Sequence, residues 1–382
     1  MNNLKKSFLY VGLCLLMLLS IGGNLGQTYA NDFVPQTNSK ASLLIDMDTN
    51  KVLYENNSTS QFPVASIVKL MTIMLTFEQI DNGAISLDDK VMVSESASSM
   101  GGSQIFLDAN CEYELGELLK SVIVCSANDS SVALAEHLSG SEASFVALMN
   151  NRAKEMGLKN TNYINCTGLP AENQYSCAYD VAQILKNVLS YDKYHEYSSI
   201  WMEDFKHPSG RTTEMTNTNR LSKFYQGCIG GKTGSTNEAG YCLAVGASRN
   251  NLNLISVVLG ANTTKERFKG ASELLDYGFA SYENFEIDLT GLINICNKDG
   301  RAINVKIEGN QKILTTKGQT PNYSINYYVP HKISKCNLGQ ELGYVEIVLD
   351  GQIHSTLKIF ANEQINEPDF IDNLKDIYKD FI

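Results

Sequence analysis

Positive charge is scarce in this sequence: 31 lysines and arginines stand against 42 aspartates and glutamates, a net charge of −11. That balance argues against nucleic acid as a partner and against electrostatic attraction to anionic lipid. An anionic substrate group would have to be met by a few local cations. Metal and redox spacings are missing too. There is no CxxC, no cysteine lies near a histidine at ligand spacing, and H-E-x-x-H does not occur. No metal and no cofactor are expected. The nucleophile elbow G-x-S-x-G is absent, and the five histidines show no relation to a serine or cysteine. The P-loop spacing G-x-x-x-x-G-K is also lacking. No internal repeat or low-complexity tract interrupts the chain.

What is present begins with a leader. Lys5 and Lys6 precede the apolar "FLYVGLCLLMLLSIGG", and Thr28 and Ala30 supply small residues before an expected cleavage after Ala30. Residues 1–30 thus read as an export signal, with an uncleaved anchor as the alternative. Eight cysteines remain after Cys14; they are scattered and read mostly as small buried hydrophobes, left as free thiols.

At 382 residues, two domains are the prior. "ASLLIDM", "DTN" and "KVLYEN" form strand, turn and strand. Helical stretches follow over 64–80, "ELGELLKSVIV", "DSSVALAEHLS", "SEASFVALMNNRAKEMG" and "AYDVAQILKNVLS". Beyond Gly227, two β runs flank Arg249–Asn251, and "RFKGASELLDYGFASY" closes as a helix. The order implies an α/β sandwich whose sheet draws on both ends of residues 31–284. Residues 285–362 alternate over short runs and read as a small all-β domain. The tail, 363–382, reads as an amphipathic helix with Phe370, Ile371, Leu374, Ile377, Tyr378, Phe381 and Ile382 on one face. Docking on the protein's own surface and lying on a membrane through residues 366–382 both stand open, since its polar face is acidic.

Lys69 stands out inside "PVASIVKLMTIMLTF", an apolar run well short of a membrane span. Near a helix start, Ser66 and Lys69 share a face. Unpaired N–H groups and the positive end of the helix dipole there suit developing negative charge. Burial would push the lysine toward its neutral form, able to take the serine proton. Alone the S-x-x-K spacing is weak, and Ser190–Lys193 and Ser355–Lys358 match it as well. Two further motifs follow in order: Ser126-Ala127-Asn128 at a helix start or loop, and Lys232-Thr233-Gly234 opening a strand. Together they form the ordered set of serine acyl-transfer enzymes whose acylation base is a lysine or a glutamate. The Ser126 hydroxyl can relay a proton to a leaving amine. The Asn128 amide can hold a substrate amide and orient Lys69. Lys232 offers fixed charge, and Thr233 a hydroxyl, to a carboxylate. Gly234 lets substrate backbone lie close to the strand.

These motifs, with "SSMGGSQIFL", "MGLKNTNYINCTGLP" and "GKTGSTNEAGYCLAVGASRNN", resemble the low-molecular-mass penicillin-binding proteins that are D-alanyl-D-alanine carboxypeptidases, peptidase family S11. The resemblance is strong over about 32–282 and weaker beyond. It implies Ser66 as nucleophile, Lys69 as base, and Ser126 and Asn128 as relay and positioning groups. It further implies Lys232 and Thr233 at the terminal carboxylate, with Arg267 nearby, and the N–H groups of Ser66 and Ser235 as oxyanion hole. The implied partners are peptidoglycan stem peptides, with β-lactams as inhibitors, on the extracytoplasmic side. A serine β-lactamase is the nearest alternative, but no E-x-x-L-N supplies a deacylating glutamate. A non-enzymatic penicillin or muropeptide sensor is the other.

Overall fold

In the computed structural model, residues 35–289 and 291–366 are described. The expected export signal and nearly all of the expected tail helix lie outside them. The described chain opens with β1 (Ala41–Asp46) and β2 (Val52–Asn56), paired antiparallel. The Asp46 carboxylate accepts from Thr49 N and Oγ1, and Asn50 takes the left-handed conformation that the tight turn needs.

Between these strands and the returning ones come helices Lys69–Asp81, Leu115–Val124, Asn128–Ser139, Glu142–Glu155 and Ala178–Val188, as the periodicity predicts. Two ribbons are extra to the sequence reading: β3 (Lys90–Met92) with β4 (Glu112–Glu114), and β5 (Met202–Lys206) with β6 (Thr212–Thr216). A helix over Asp192–Ser199 is likewise extra. Their strands are short, and "MEDFK" carries three charges, so no apolar alternation announced them.

The chain then forms β7 (Cys228–Thr236), β8 (Gly240–Arg249) and β9 (Leu252–Ala261), followed by the helix Thr264–Ser281. The sheet order β2-β1-β9-β8-β7 inserts β1 beside β9, so both ends of the sandwich meet in one sheet and β7 is left at its edge. Side chains alternate across it. Leu43 and Ile45 join the larger core with Ile67, Leu70 and Ile184, whereas Leu44 joins Leu254, Leu274 and Leu275 on the opposite face. Both faces being covered explains why every residue of β1 is buried.

β10 (Tyr282–Glu286) follows the last helix directly, so the boundary expected after residue 284 falls inside a strand. β10 pairs with β12 (Lys312–Thr316). The others, β11 (Val305–Glu308), β13 (Tyr323–Tyr328), β14 (Glu341–Leu349) and β15 (Gln352–Ala361), make a sheet of order β11-β15-β14-β13. Its core holds Ile303, Val345, Ile347, Leu357 and Ile359. All eight cysteines of the described chain are free thiols; Cys166, Cys177, Cys242 and Cys336 are buried and the other four half-buried. None of the described helices is long and apolar enough to cross a membrane.

Candidate active site

Ser66 lies in a 3-10 turn, Ala65–Val68, and Lys69 is the first residue of the α-helix that follows. The helix expected from about Ser66 therefore starts one turn tighter than foreseen, which keeps i and i+3 side chains eclipsed. Ala65 is held at φ +49. Two distant glycines clamp this turn. A Cβ on Gly168 would sit 2.0 Å from the Ala65 carbonyl oxygen, and one on Gly234 would sit 2.9 Å from Ser66 N. Only glycine allows backbones to approach so closely.

Lys69 is fully buried, with Nζ 3.0 Å from Ser66 Oγ. Burial among apolar side chains drops its pKa from 10.5 to about 7. The drop corresponds to ~5 kcal/mol against the charged form. Near neutrality roughly half of Lys69 is free amine, where a solvated lysine would be so in only about one molecule in several thousand.

The amine also donates to the Thr167 carbonyl, and no Lys69–Asn128 hydrogen bond is present. Orientation of the lysine, expected of Asn128, thus belongs to a backbone oxygen. Asn165 shapes that backbone: its Oδ1 accepts from Thr167 N at 3.2 Å and Gly168 N at 2.7 Å. Thr167 was missed because a carbonyl has no letter in the sequence. The trace was the glycine of "NCTGLP", at φ +80.

Ser126 occupies the bend before the helix Asn128–Ser139, at φ +65. Lys232 Nζ donates to its hydroxyl at 2.6 Å. The Asn128 side chain donates to Gly101 O at 2.6 Å, and its N–H to Ser103 O at 2.7 Å, so the "GGSQIFL" loop is its support. Its buried Oδ1 has no hydrogen-bond partner. Buried Asp129 fixes the same loop by accepting from Ile105 N and Leu107 N, both at 3.1 Å.

Lys232, Thr233 and Gly234 sit mid-strand in β7 rather than at its opening. Thr233 is buried and Ser235 exposed. Burial, and then the neighbouring Lys69, hold the Lys232 ammonium well below its ordinary pKa. Arg267 is buried rather than a surface residue. One guanidinium nitrogen donates to Gly234 O at 3.1 Å and to Cys242 O at 3.4 Å. Its charge faces the Phe268 and Tyr241 rings, with centroids at 4.8 and 5.6 Å.

The other S-x-x-K pairs stay apart from this cluster. Lys193, half-buried, pairs with exposed Glu196, and Lys358 with Glu341, both exposed, while Ser190 and Ser355 bond backbone carbonyls. Among the described residues, no cluster of histidine, cysteine and acidic side chains could hold a metal. The cluster can do acyl transfer: an amine in reach of a hydroxyl, a second hydroxyl beside a second amine, and an open strand edge for an extended chain.

Comparison with known proteins agrees with that chemistry. A family model described as Peptidase S11, D-alanyl-D-alanine carboxypeptidase, matches residues 28–263. The chain is 39% identical over 346 residues to the D-alanyl-D-alanine carboxypeptidase DacF of Bacillus subtilis (strain 168), covering 88% of each chain. Penicillin binding protein 5 from Haemophilus influenzae superposes with a TM-score of 0.69 at 31% identity, covering 88% of this chain and 100% of that one. A mutant of the Streptomyces K15 DD-transpeptidase superposes with a TM-score of 0.61 at 26% identity, covering 65% of this chain and all of its own.

Proposed function

The chain belongs to peptidase family S11, the D-alanyl-D-alanine carboxypeptidases, and from that premise we propose how its own residues carry the reaction. The enzyme removes the terminal D-Ala from peptidoglycan stem peptides on the extracytoplasmic side, and β-lactams inhibit it. Ser66 Oγ attacks the carbonyl carbon of the penultimate D-Ala while its proton passes to neutral Lys69. The oxyanion is received by the backbone N–H groups of Ser66 and Ser235. As the C–N bond breaks, the proton travels through Ser126 to the leaving amine, and D-Ala departs. Water then attacks the Ser66 ester, returning the hydroxyl and releasing the shortened peptide. Asn128 holds the substrate amide, and Lys232 and Thr233 hold the terminal carboxylate. Arg267 acts through the Gly234 carbonyl it grips, as a positioning residue.

The observation that carries this reading is the dry amine of Lys69, 3.0 Å from Ser66 Oγ. The test is incubation with a pentapeptide ending in D-Ala-D-Ala and, separately, with penicillin. Tetrapeptide release together with a long-lived adduct mapped to Ser66 is expected. Rapid penicillin hydrolysis would make it a β-lactamase, and an adduct without peptide turnover would make it a sensor. The reading extends to the outer face of the cytoplasmic membrane, with residues 366–382 as a peripheral contact. Deleting them should release the protein to the soluble fraction, and an unchanged distribution would remove that part.

A further inference from the structure

The roles proposed above give β7 a direction. With Lys232 and Thr233 at the terminal carboxylate and the Ser235 amide at the scissile carbonyl, two anchors on one strand fix how an extended substrate lies. Its C-terminus points toward position 232, so residues upstream of the scissile bond run toward Thr236 and the turn beyond. β7 ends at Thr236, and the turn over residues 237–239 follows directly, so the upstream residues of an extended substrate reach that turn within a few positions.

A cavity of about 450 Å³ lies there, lined by Ser235, Thr236, Glu238, Tyr241, Gly260 and Lys40. Ser235 lines this cavity and also supplies an N–H of the proposed oxyanion hole, which places the two side by side on β7. Lys40 comes from just before β1, more than 190 residues from the turn in sequence, and β1 pairing with β9 delivers it. Its aliphatic stem lies against Gly260, where a Cβ would meet Lys40 Cγ and Cδ at 2.8 Å. Its Nζ is 3.5 Å from the Glu238 carbonyl oxygen, and among the described residues it is in no ion pair. Its stem is thus seated while its head is exposed, on a chain whose net charge is −11. Lys40 is the cationic residue of a lining that also holds Glu238, and a local cation is what an anionic group would need on so acidic a protein.

We propose that this cavity is the subsite for the stem peptide upstream of the scissile bond, and that Lys40 receives a carboxylate carried there. The proposal rests on the carboxypeptidase reading, and the experiment separates the two. Three peptides ending in D-Ala-D-Ala are compared: a short blocked one without upstream residues, one with an upstream carboxylate two or three residues away, and the same one amidated. The unmodified enzyme is expected to favour the carboxylate over the amide peptide in kcat/KM by about three- to tenfold, less at high salt. In Lys40→Met, which keeps the stem against Gly260, that ratio falls toward one, and Lys40→Arg restores it. A structural role would lower both peptides together and leave the ratio intact, overturning the proposal. A ratio near one in the unmodified enzyme would also overturn it. Failure of the unmodified enzyme to release D-Ala from the short peptide would overturn the carboxypeptidase reading itself, and the subsite with it.

Discussion

The two regions of the molecule fill their interiors differently. The sandwich buries Lys69, Lys120, Lys232, Arg267, Asp46 and Asp129 along with many hydroxyls and amides. The β region after Ser281 buries no polar or charged side chain among its described residues; its core is aliphatic apart from Cys336. Its charges pair at the surface instead, as in Lys306–Glu308 and Lys358–Glu341. Backbone strain divides the same way. Among the described residues, ten non-glycine residues have positive φ, and seven are asparagine or aspartate, which tolerate it. The other three, Ala65, Phe106 and Ser126, all lie in the sandwich, at the nucleophile turn, the loop fixed by Asp129 and the relay bend. Burying a charge costs several kcal/mol unless something offsets it: Lys120 is offset by Glu117 and Glu203 and Asp129 by loop N–H groups, whereas Lys69 and Lys232 have no acidic partner and mark the site.

The largest test of that contrast is the lysine of each region in an S-x-x-K match. Lys69→Arg keeps a charge but removes the base, and should lower acylation by penicillin at least about a thousandfold. Lys358→Arg, in an exposed pair, should change neither activity nor stability measurably. In the unmodified enzyme the base is the neutral amine, so acylation should climb about tenfold per pH unit below about 7 and level off above it. A flat profile from pH 5 to 9 would break the assignment of Lys69 as the titrating base.

Next come two glycines with the same φ of +80. Gly168→Ala drives a Cβ into the Ala65 carbonyl, whereas at Gly351 nothing lies within 4 Å. Denaturant melts should show a loss of more than about 3 kcal/mol for the first and about 1 for the second. Equal losses would mean the nucleophile turn is no tighter than a β-hairpin.

The smallest effect is expected where the regions meet. Asp48, in the β1–β2 turn, accepts from Lys312 at 2.9 Å and from Asn284 and Asn253 at 3.3 Å. Asp48→Asn should cost about 1 kcal/mol or less in thermal unfolding, with turnover of a short substrate unaltered. A loss as large as that of Gly168→Ala would show the junction to be as tightly built as the site.

Much of this was legible in the sequence because the chemistry sits in side chains at short, fixed spacings. Ser66 and Lys69 are three apart, Ser126 and Asn128 two apart, and Lys232 to Gly234 contiguous. Five of the helices and the β8–β9 pair followed from periodicity, and β7 from the strand expected at Lys232-Thr233-Gly234. What was not legible is backbone: the Thr167 carbonyl that orients Lys69, the Gly101 and Ser103 carbonyls that hold Asn128, and the tighter first turn at Ala65. The lowered pKa of Lys232 was hidden for another reason: it comes first from burial and then from Lys69, which the fold brings near across a long stretch of chain.

The left-handed conformation of Ala65 also bears on how such a sequence changes over generations. Glycine would relieve the strain there at no steric cost, and selection for thermal tolerance alone would favour it. It would also loosen the residue that aims Ser66. Turnover and heat resistance would therefore pull this one position in opposite directions.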